Sequence, residues 1–345
     1  MLSPPSSLAI HQLDIIIEEL NIYVALLIFA TGVIGGLLNI IIFSSLKTFR
    51  QTSTGFYLIV TSIFNVGQAL SALSTRILET GFTVSITHLS WSCKLRTVLS
   101  QSCVLISLTN MSLATIDQFL SMSSRRHWSN LKLARRHSML SCCVWAFHGI
   151  FAVIYWDVIN GVCTTANGSV YRRYLSYFYT PVLLGCLPIV VMVTFSVLAF
   201  VKSRRLARRQ VNIVRLSHER QLTAMALFQV AFIVFASTPY TTYTIYDLNT
   251  VVTNAEVAAQ RRLIGTITVL LYYEQFASSF YIFCCVSKRF RKQLIFVLFK
   301  IHMTWLRRVF NSTKTNRIAP KSESTGDGHC GRPNISIHDV AVGAS

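Results

Sequence analysis

The sequence predicts an all-α membrane protein: a bundle of seven transmembrane helices, N-terminus outside, with an interfacial eighth helix after the seventh span. Three observations predict it. Seven long apolar stretches divide the 345 residues, each at or above the roughly 20 apolar residues that a bilayer crossing needs. The composition, 52% hydrophobic and 13% charged with a mean hydropathy of +0.50, lies far from that of soluble domains. Charge placement supplies the third: 25 of the 32 Lys and Arg fall in the connectors after stretches one, three and five and in the C-terminal tail. Basic connectors stay cytoplasmic, so the remaining segments face outward.

The expected spans are 22–46, 54–78, 93–122, 138–157, 175–201, 221–247 and 263–286. Residues 1–21 read as an extracellular N-terminus, with Asp14, Glu18 and Glu19 but neither Lys nor Arg. They lack the basic, apolar and small-residue order of a cleavable signal, so the first span is expected to act as a signal anchor. Residues 287–303 read as the interfacial helix: Phe290, Leu294, Ile295, Leu298 and Ile301 make an apolar stripe among Lys288, Arg289, Arg291 and Lys292. Residues 304–345 read as a disordered cytoplasmic tail.

The outward segments carry seven acidic residues, Asp14, Glu18, Glu19, Glu79, Asp157, Asp247 and Glu256, which balance the seven outer basic ones. The excess within the +19 net charge is therefore cytoplasmic. It serves topology and attraction to the anionic inner leaflet, or a docking face for a polar partner. A nucleic-acid partner is excluded, because the charge is spread over membrane-flanking loops instead of gathered on one soluble face.

Of nine cysteines, only Cys93, at the start of span three, and Cys163, after span four, sit clearly at outer positions. An oxidising compartment allows them to pair, which would tie the second outer loop to the third helix. Cys103, Cys142, Cys143, Cys186, Cys284 and Cys285 lie within spans as small packing residues, and Cys330 lies in the tail. Asn167-Gly168-Ser169 is a glycosylation sequon on the outer side; Asn311 matches the same pattern but faces the cytoplasm.

With these residues placed, the chain resembles a rhodopsin-like (class A) G-protein-coupled receptor over residues 22–303. Gly36-Leu37-Leu38-Asn39 is similar to the first-span signature, Trp145 to the fourth-span tryptophan, and Pro188 and Pro239 to the fifth- and sixth-span prolines. Gln118, in Asp117-Gln118-Phe119, stands 25 residues after Cys93, the family's spacing from the disulfide cysteine to the centre of its Asp-Arg-Tyr motif. The resemblance implies a plasma-membrane receptor, not an enzyme, that passes an extracellular ligand's signal to a heterotrimeric G protein and uses no cofactor or metal. It also implies an activation switch at Asp117, Gln118, Phe119, Glu219, Ser237, Pro239, Ser279, Phe280 and Phe283, and a bundle core at Asn39, Asn65, Ser107, Trp145, Pro188 and Glu274.

Several of these positions depart from the family pattern. Gln118 replaces the arginine that in relatives pairs with a sixth-span glutamate, whose place Glu219 occupies; a neutral donor to Glu219 is weaker than a charge-assisted one. The expectation is a less firmly held resting state or altered coupling. Asn65 replaces the aspartate that binds sodium with polar groups such as Ser107 and Ser279, so sodium modulation is expected to be weak or absent. Ser237 occupies the usual tryptophan position. Ser279-Phe280-Tyr281-Ile282-Phe283 lies over Asn-Pro-x-x-Tyr, without its proline or tyrosine. Glu274, well inside a span, either marks function or is a neutral, hydrogen-bonded structural residue.

Ser100 stands where aminergic relatives place an aspartate, which argues against an amine ligand. Arg76, Ser100, Gln101, Tyr243, Tyr246, Tyr272 and Tyr273 would line an outer ligand site suited to hydrogen-bonding and aromatic recognition; the tyrosines nearest the boundary serve equally as interface-belt residues. The loop around Cys163, with Thr164, Thr165, Tyr171, Arg172 and Arg173, has the character of a hairpin and resembles peptide receptors. A peptide is the favoured ligand, ahead of small odorant-like chemicals.

On the inner face, the basic connector 202–220 would open with helix movement about Pro239. Ser312, Thr313, Thr315, Ser322, Ser324 and Thr325 would recruit a regulatory partner such as arrestin when phosphorylated. Rival classes meet residue-level objections. A retinal protein needs a seventh-span lysine, and 263–286 contain none. A metal hydrolase needs clustered ligands, whereas only His148 of nine histidines lies in a span. A seven-span receptor without G-protein coupling, or a transporter or channel using Glu274, is the alternative.

Overall fold

A computed structural model describes residues 5–45, 50–123, 126–159, 161–165, 170–208 and 213–299, with side chains described for all of these except 5–7 and 207–220. Six helices are long and apolar enough to cross a membrane: α1 (Leu8–Ser45), α2 (Ser53–Gly81), α3 (Ser90–Ser121), α4 (Leu131–Tyr155), α5 (Val170–Leu206) and α6 (Gln221–Asn249). α7 (Ala255–Ala277) and α8 (Ser279–Val286), bent by 55° across Ser278, pass the same test only as a pair, which makes six spans, or seven if the pair is one span. A further helix, α9, begins at 288 and runs to the end of the first compact unit, Met1–Val297. Of the second unit, Leu298–Ser345, only residues 298 and 299 are described.

This is the architecture of an all-α, multi-pass membrane protein, and its polarity runs accordingly. Leucines and isoleucines such as Leu27, Ile34, Ile150 and Ile154 face outward, while Asn39, Asn65, Asn110, Thr115 and Gln118 are buried. In a bilayer the outer surface gains nothing from polarity, and polar side chains find partners between helices. α1 to α4 pack in sequence, as do α5 to α7, and α7 returns to α1; α3 lies against α2, α4 and α5, while α4 packs on α3 and α2. Accordingly 67% of the apolar window of α3 is buried against 22% for α4, which makes α3 the central helix and α4 a peripheral one.

Close approach and polar cross-links fix the helix pairs. A Cβ on Gly36 would stand 2.4 Å from Val66 Cγ2, so only glycine lets α1 meet α2 here. Between α3 and α4, Ser138 Oγ donates to Asn110 Oδ1 (2.6 Å), Asn110 Nδ2 donates to Ser141 Oγ (3.1 Å) and Trp145 Nε1 donates to Thr109 Oγ1 (2.9 Å). The bend between α7 and α8 forms without a proline. Adjacent serines occupy it, and Ser278 Oγ bonds back to the Gln275 carbonyl (3.3 Å), the kind of side-chain intrusion that kinks a helix.

Two departures from the expected spans stand out. Helix begins at Pro5, well before residue 22, because Asp14, Glu18 and Glu19 interrupt the apolar count without breaking the helix. Ile17 is buried, Asp14 accepts from Arg262 Nη2 (2.8 Å), and the segment lies along α7. The predicted stripe of α9 also divides: Phe290 is buried and Leu294 packs on the core, while Ile295 is exposed.

Between α4 and α5, strands β1 (Trp156–Ile159) and β2 (Val162–Thr165) form an antiparallel hairpin. Its turn uses Gly161 at φ +77°, a conformation that favours glycine. Four stretches of helix are wound as π-helix: Leu20–Val24 in α1, Ala69–Leu73 and Ile77–Gly81 in α2, and Leu175–Cys186 in α5. All four lie in the half of the bundle nearer the hairpin.

Candidate functional site

At the hairpin end, Cys93 and Cys163 form a disulfide with their Cα atoms 5.6 Å apart, as their placement allowed. Asp157 of β1 adds a second tether: it accepts from Ser90 Oγ (2.6 Å) and from its neighbour Val158 N–H (2.8 Å), and Lys94 Nζ lies 3.6 Å away. The Ser90 hydroxyl first, then the Val158 amide and Lys94, hold its carboxyl below the ordinary aspartate range.

Beneath the hairpin the predicted ligand residues separate into two groups. The inward group holds Gln101, which accepts from Tyr171 OH (3.1 Å), Ser100, which accepts from Gln68 Nε2 (3.3 Å), and Arg76, Tyr272 and Tyr273. Arg76 donates from Nε to Asn21 Oδ1 (2.9 Å) and from Nη2 to Thr266 Oγ1 (3.1 Å), joining α1, α2 and α7. Tyr272 is buried and stacks on Tyr240 at 4.3 Å between centroids. Tyr243 and Tyr246 stand apart: Tyr243 OH donates to the Arg261 carbonyl (2.8 Å), and Arg261 lies over the exposed Tyr246 ring at 4.4 Å. Their place is the α6–α7 rim, in keeping with a boundary role.

Sequence reasoning missed Tyr179, Tyr240 and the ring set around His148. His148 Nε2 lies 2.7 Å from Tyr174 OH, and its ring stacks on Tyr179 at 5.9 Å. Aromatic residues inside apolar runs were the available signal, but a buried tyrosine and a lipid-facing one look alike in sequence.

At mid-depth a cavity of about 390 Å³ is lined by Thr61, Asn65, Ser107, Gln229, Gln275 and Ser279 among apolar neighbours. Ser107 Oγ donates to Asn65 Oδ1, and Asn39 Nδ2 donates to Ser279 Oγ (3.2 Å). Thr61 Oγ1, Gln229 Oε1 and both polar atoms of the Gln275 carboxamide have no hydrogen-bond partner; Tyr272 OH is near Gln275 but outside bonding geometry. Groups of this kind are satisfied by ordered water, for which such a polar space has room. The described lining contains no ionisable side chain. Glu274 does not face it: its electrostatic neighbour is Tyr281, a partly exposed residue whose hydroxyl donates to the Thr31 carbonyl (3.2 Å) on α1. Pro188 lies where the π-helical stretch of α5 returns to α-helix.

At the other end of the bundle, Asp117 is buried and accepts from Thr54 Oγ1 (2.5 Å) and from Ser53 Oγ, 2.7 Å from both carboxylate oxygens. Gln118 Nε2 donates to the Leu222 carbonyl on α6 (3.2 Å), and its Oε1 has no partner. Glu219 lies on the same helix, one turn earlier, its side chain outside the described residues. Phe119 packs on Phe195 of α5 at 5.7 Å. Ser237 Oγ bonds back to the Ile233 carbonyl (2.6 Å), two residues before Pro239 in α6. Phe283 sets its edge to Phe43 (5.9 Å) and packs on Phe290 (5.8 Å), which Phe280 also meets (6.0 Å), locking α8 and α9 to α1.

Asn167, Asn311, the tail serines and threonines and the basic connector's side chains lie outside the described residues. Among the described residues no cluster of His, Cys, Asp or Glu suits a metal ion. No protein-family model matches the chain, and no curated protein matches it. What the fold defines is a class, the helical multi-pass membrane proteins.

Proposed function

We propose that the chain is a seven-span cell-surface receptor of rhodopsin-like type, N-terminus outside, that couples an extracellular ligand, a peptide by preference, to an intracellular G protein. The observation that carries this reading is the pairing of two unlike ends on one set of helices. A disulfide-tethered hairpin covers an inward-facing set of Arg76, Gln101, Tyr272 and Tyr273, while Asp117 and Gln118 join α3 to α2 and α6 at the far end. α6, with Pro239 inside it, runs between the two and is the element whose position a ligand would bias.

The neutral Gln118 contact supports a second reading, a receptor that binds ligand without efficient coupling. A hydrogen bond from a carboxamide to a backbone carbonyl lacks the strength of the charge-assisted pair in relatives. The test has two parts. An N-terminal epitope should be stained on intact cells, and a panel of G-protein readouts should respond to at least one ligand from a peptide library, with basal activity altered in Gln118→Arg. An epitope reached only after permeabilisation sinks the orientation and the receptor reading. Ligand binding with a silent panel in both wild type and Gln118→Arg selects the non-coupling form.

A further inference from the structure

Seven cations belong to the segments assigned above to the hairpin end, and they are not treated alike. Lys94 lies 3.6 Å from Asp157, Arg96 4.0 Å from Glu79, Arg261 3.9 Å from Asp247 and Arg262 2.8 Å from Asp14. Arg76, the one of these that points between α1 and α7, has only neutral partners among the described residues, Asn21 Oδ1 and Thr266 Oγ1. The nearest acid in sequence, Glu79, is committed elsewhere, accepting from the Thr87 backbone N–H (3.0 Å) and hydroxyl and facing Arg96. Tyr240, Tyr273 and Arg96 are the other titratable groups near the Arg76 guanidinium, and none of them is a carboxylate.

A guanidinium has five N–H groups in a planar fork. Two are used, on Nε and Nη2, which leaves Nη1 and the second Nη2 hydrogen to meet a carboxylate. A cation in a membrane bundle without a counter-ion is costly and marks function more often than packing. The backbone gives an independent indication. Arg76 sits in the short α-helical segment Ser74–Arg76 between two π-helical stretches, and its partner Asn21 lies in a third. π-helical insertions concentrate at functional sites because they re-aim side chains at a local cost. Next to this fork, sharing Tyr273 and reaching Leu73 one turn along α2, is a small apolar crevice walled by Ile28, Ala69, Leu73 and Phe276.

We infer that Arg76 is the anion-recognition point of the ligand site, resting on the receptor reading above. It takes a carboxylate whose apolar neighbour lies toward the crevice between α1, α2 and α7. Two ligands share that chemistry, the free C-terminus of a peptide ending in an apolar residue and the head of a short acyl chain. An amidated peptide does not.

The full-length protein in zwitterionic lipid nanodiscs provides the test, with thermal unfolding as readout. The probes are N-acetyl-leucine and octanoate, each against its uncharged amide. At millimolar concentration at least one acid should raise the melting temperature by several degrees where its amide does not, and Arg76→Gln should weaken that response at least tenfold. Arg76→Lys keeps the charge and should retain part of it. Stabilisation by N-acetyl-leucine alone assigns the site to a peptide terminus, and by octanoate alone to an acyl chain. Arg76→Gln loses the bonds to Asn21 and Thr266 together with an uncompensated charge, so each acid response is read against that variant's own unliganded melting temperature. Acid and amide acting equally, or an Arg76→Gln protein that melts lower while answering the acids as wild type does, overturns the inference. Neither result bears on the G-protein panel, so the two readings fail separately.

Discussion

The hairpin half of the bundle and the opposite half are held together by different means. Toward the hairpin the helices carry all four described π-helical stretches, polar groups turned inward and a covalent staple from β2 to α3. Toward the other end the described parts of α2 to α6 are regular α-helix, and the joints are direct hydrogen bonds, chiefly Ser53 and Thr54 to Asp117 and Gln118 to Leu222. A π-helical turn holds its backbone less tightly and turns the following side chains to new directions. Such a half adapts to what it contacts and needs an external restraint. The regular half is restrained by its own side chains, so a change in those joints alters how helices meet instead of whether they form.

The largest break in this comparison is removal of the staple. The bond closes a separation of 70 residues, for which chain entropy alone predicts about 4 kcal/mol. Membrane insertion already restrains the spans, so the loss in Cys93→Ser/Cys163→Ser should be smaller, about 2–3 kcal/mol. Thermal unfolding and surface expression should both fall, and hydrogen exchange should rise in α1, α2 and the start of α5 but not around Asp117. A uniform rise across both ends would show that the halves are not separate.

Next in size is Asp117→Ala, which strands the Thr54 hydroxyl in a buried place and leaves Ser53 only its bond with Ser129, at about 1–3 kcal/mol. Asp117→Asn keeps one acceptor and should lose roughly half as much. Melting temperature measures both. Wild-type stability in Asp117→Ala would mean that the far end is not held by these bonds, and the contrast with the stapled end would go with it.

How much of this was legible in sequence depends on the range of the signal. The spans came from runs of about 20 apolar residues, a one-dimensional property, and so did the pairing candidates Cys93 and Cys163, confined by topology to one side. The hairpin was readable too: Asn160-Gly161 between Trp156–Ile159 and Val162–Thr165 is a strong turn signal, although only its general character was inferred. The start of α1 was missed because acidic residues lower an apolar count while leaving helix propensity intact. The cavity was missed in part. Asn65, Ser107 and Ser279 were expected to meet, whereas Gln229 and Gln275 were overlooked even though glutamine inside an apolar span is itself a signal. Which way a residue faces was the least legible. Glu274 and Arg76 both read as polar residues in spans, and only packing separates the first, beside Tyr281, from the second, between α1 and α7. π-helical winding left no sequence mark, since it depends on where neighbouring helices require a side chain to point.

The smallest expected effect comes from the second tether of the hairpin. Asp157 is held below the ordinary aspartate range by Ser90, the Val158 amide and Lys94, so its carboxylate form favours the folded hairpin. A depressed folded value means that this contribution is fully present above the unfolded value of about 3.9 and is lost as pH falls through the lower, folded one. At neutral pH the tether is intact. The group is exposed and water screens it, so Asp157→Asn should change hairpin exchange rates less than about threefold at pH 7 and leave melting nearly unchanged. The difference between wild type and Asp157→Asn should shrink as pH drops below about 4, where the aspartate begins to protonate. A gap between them that stays constant down to about pH 2 would assign the effect to shape and not to charge.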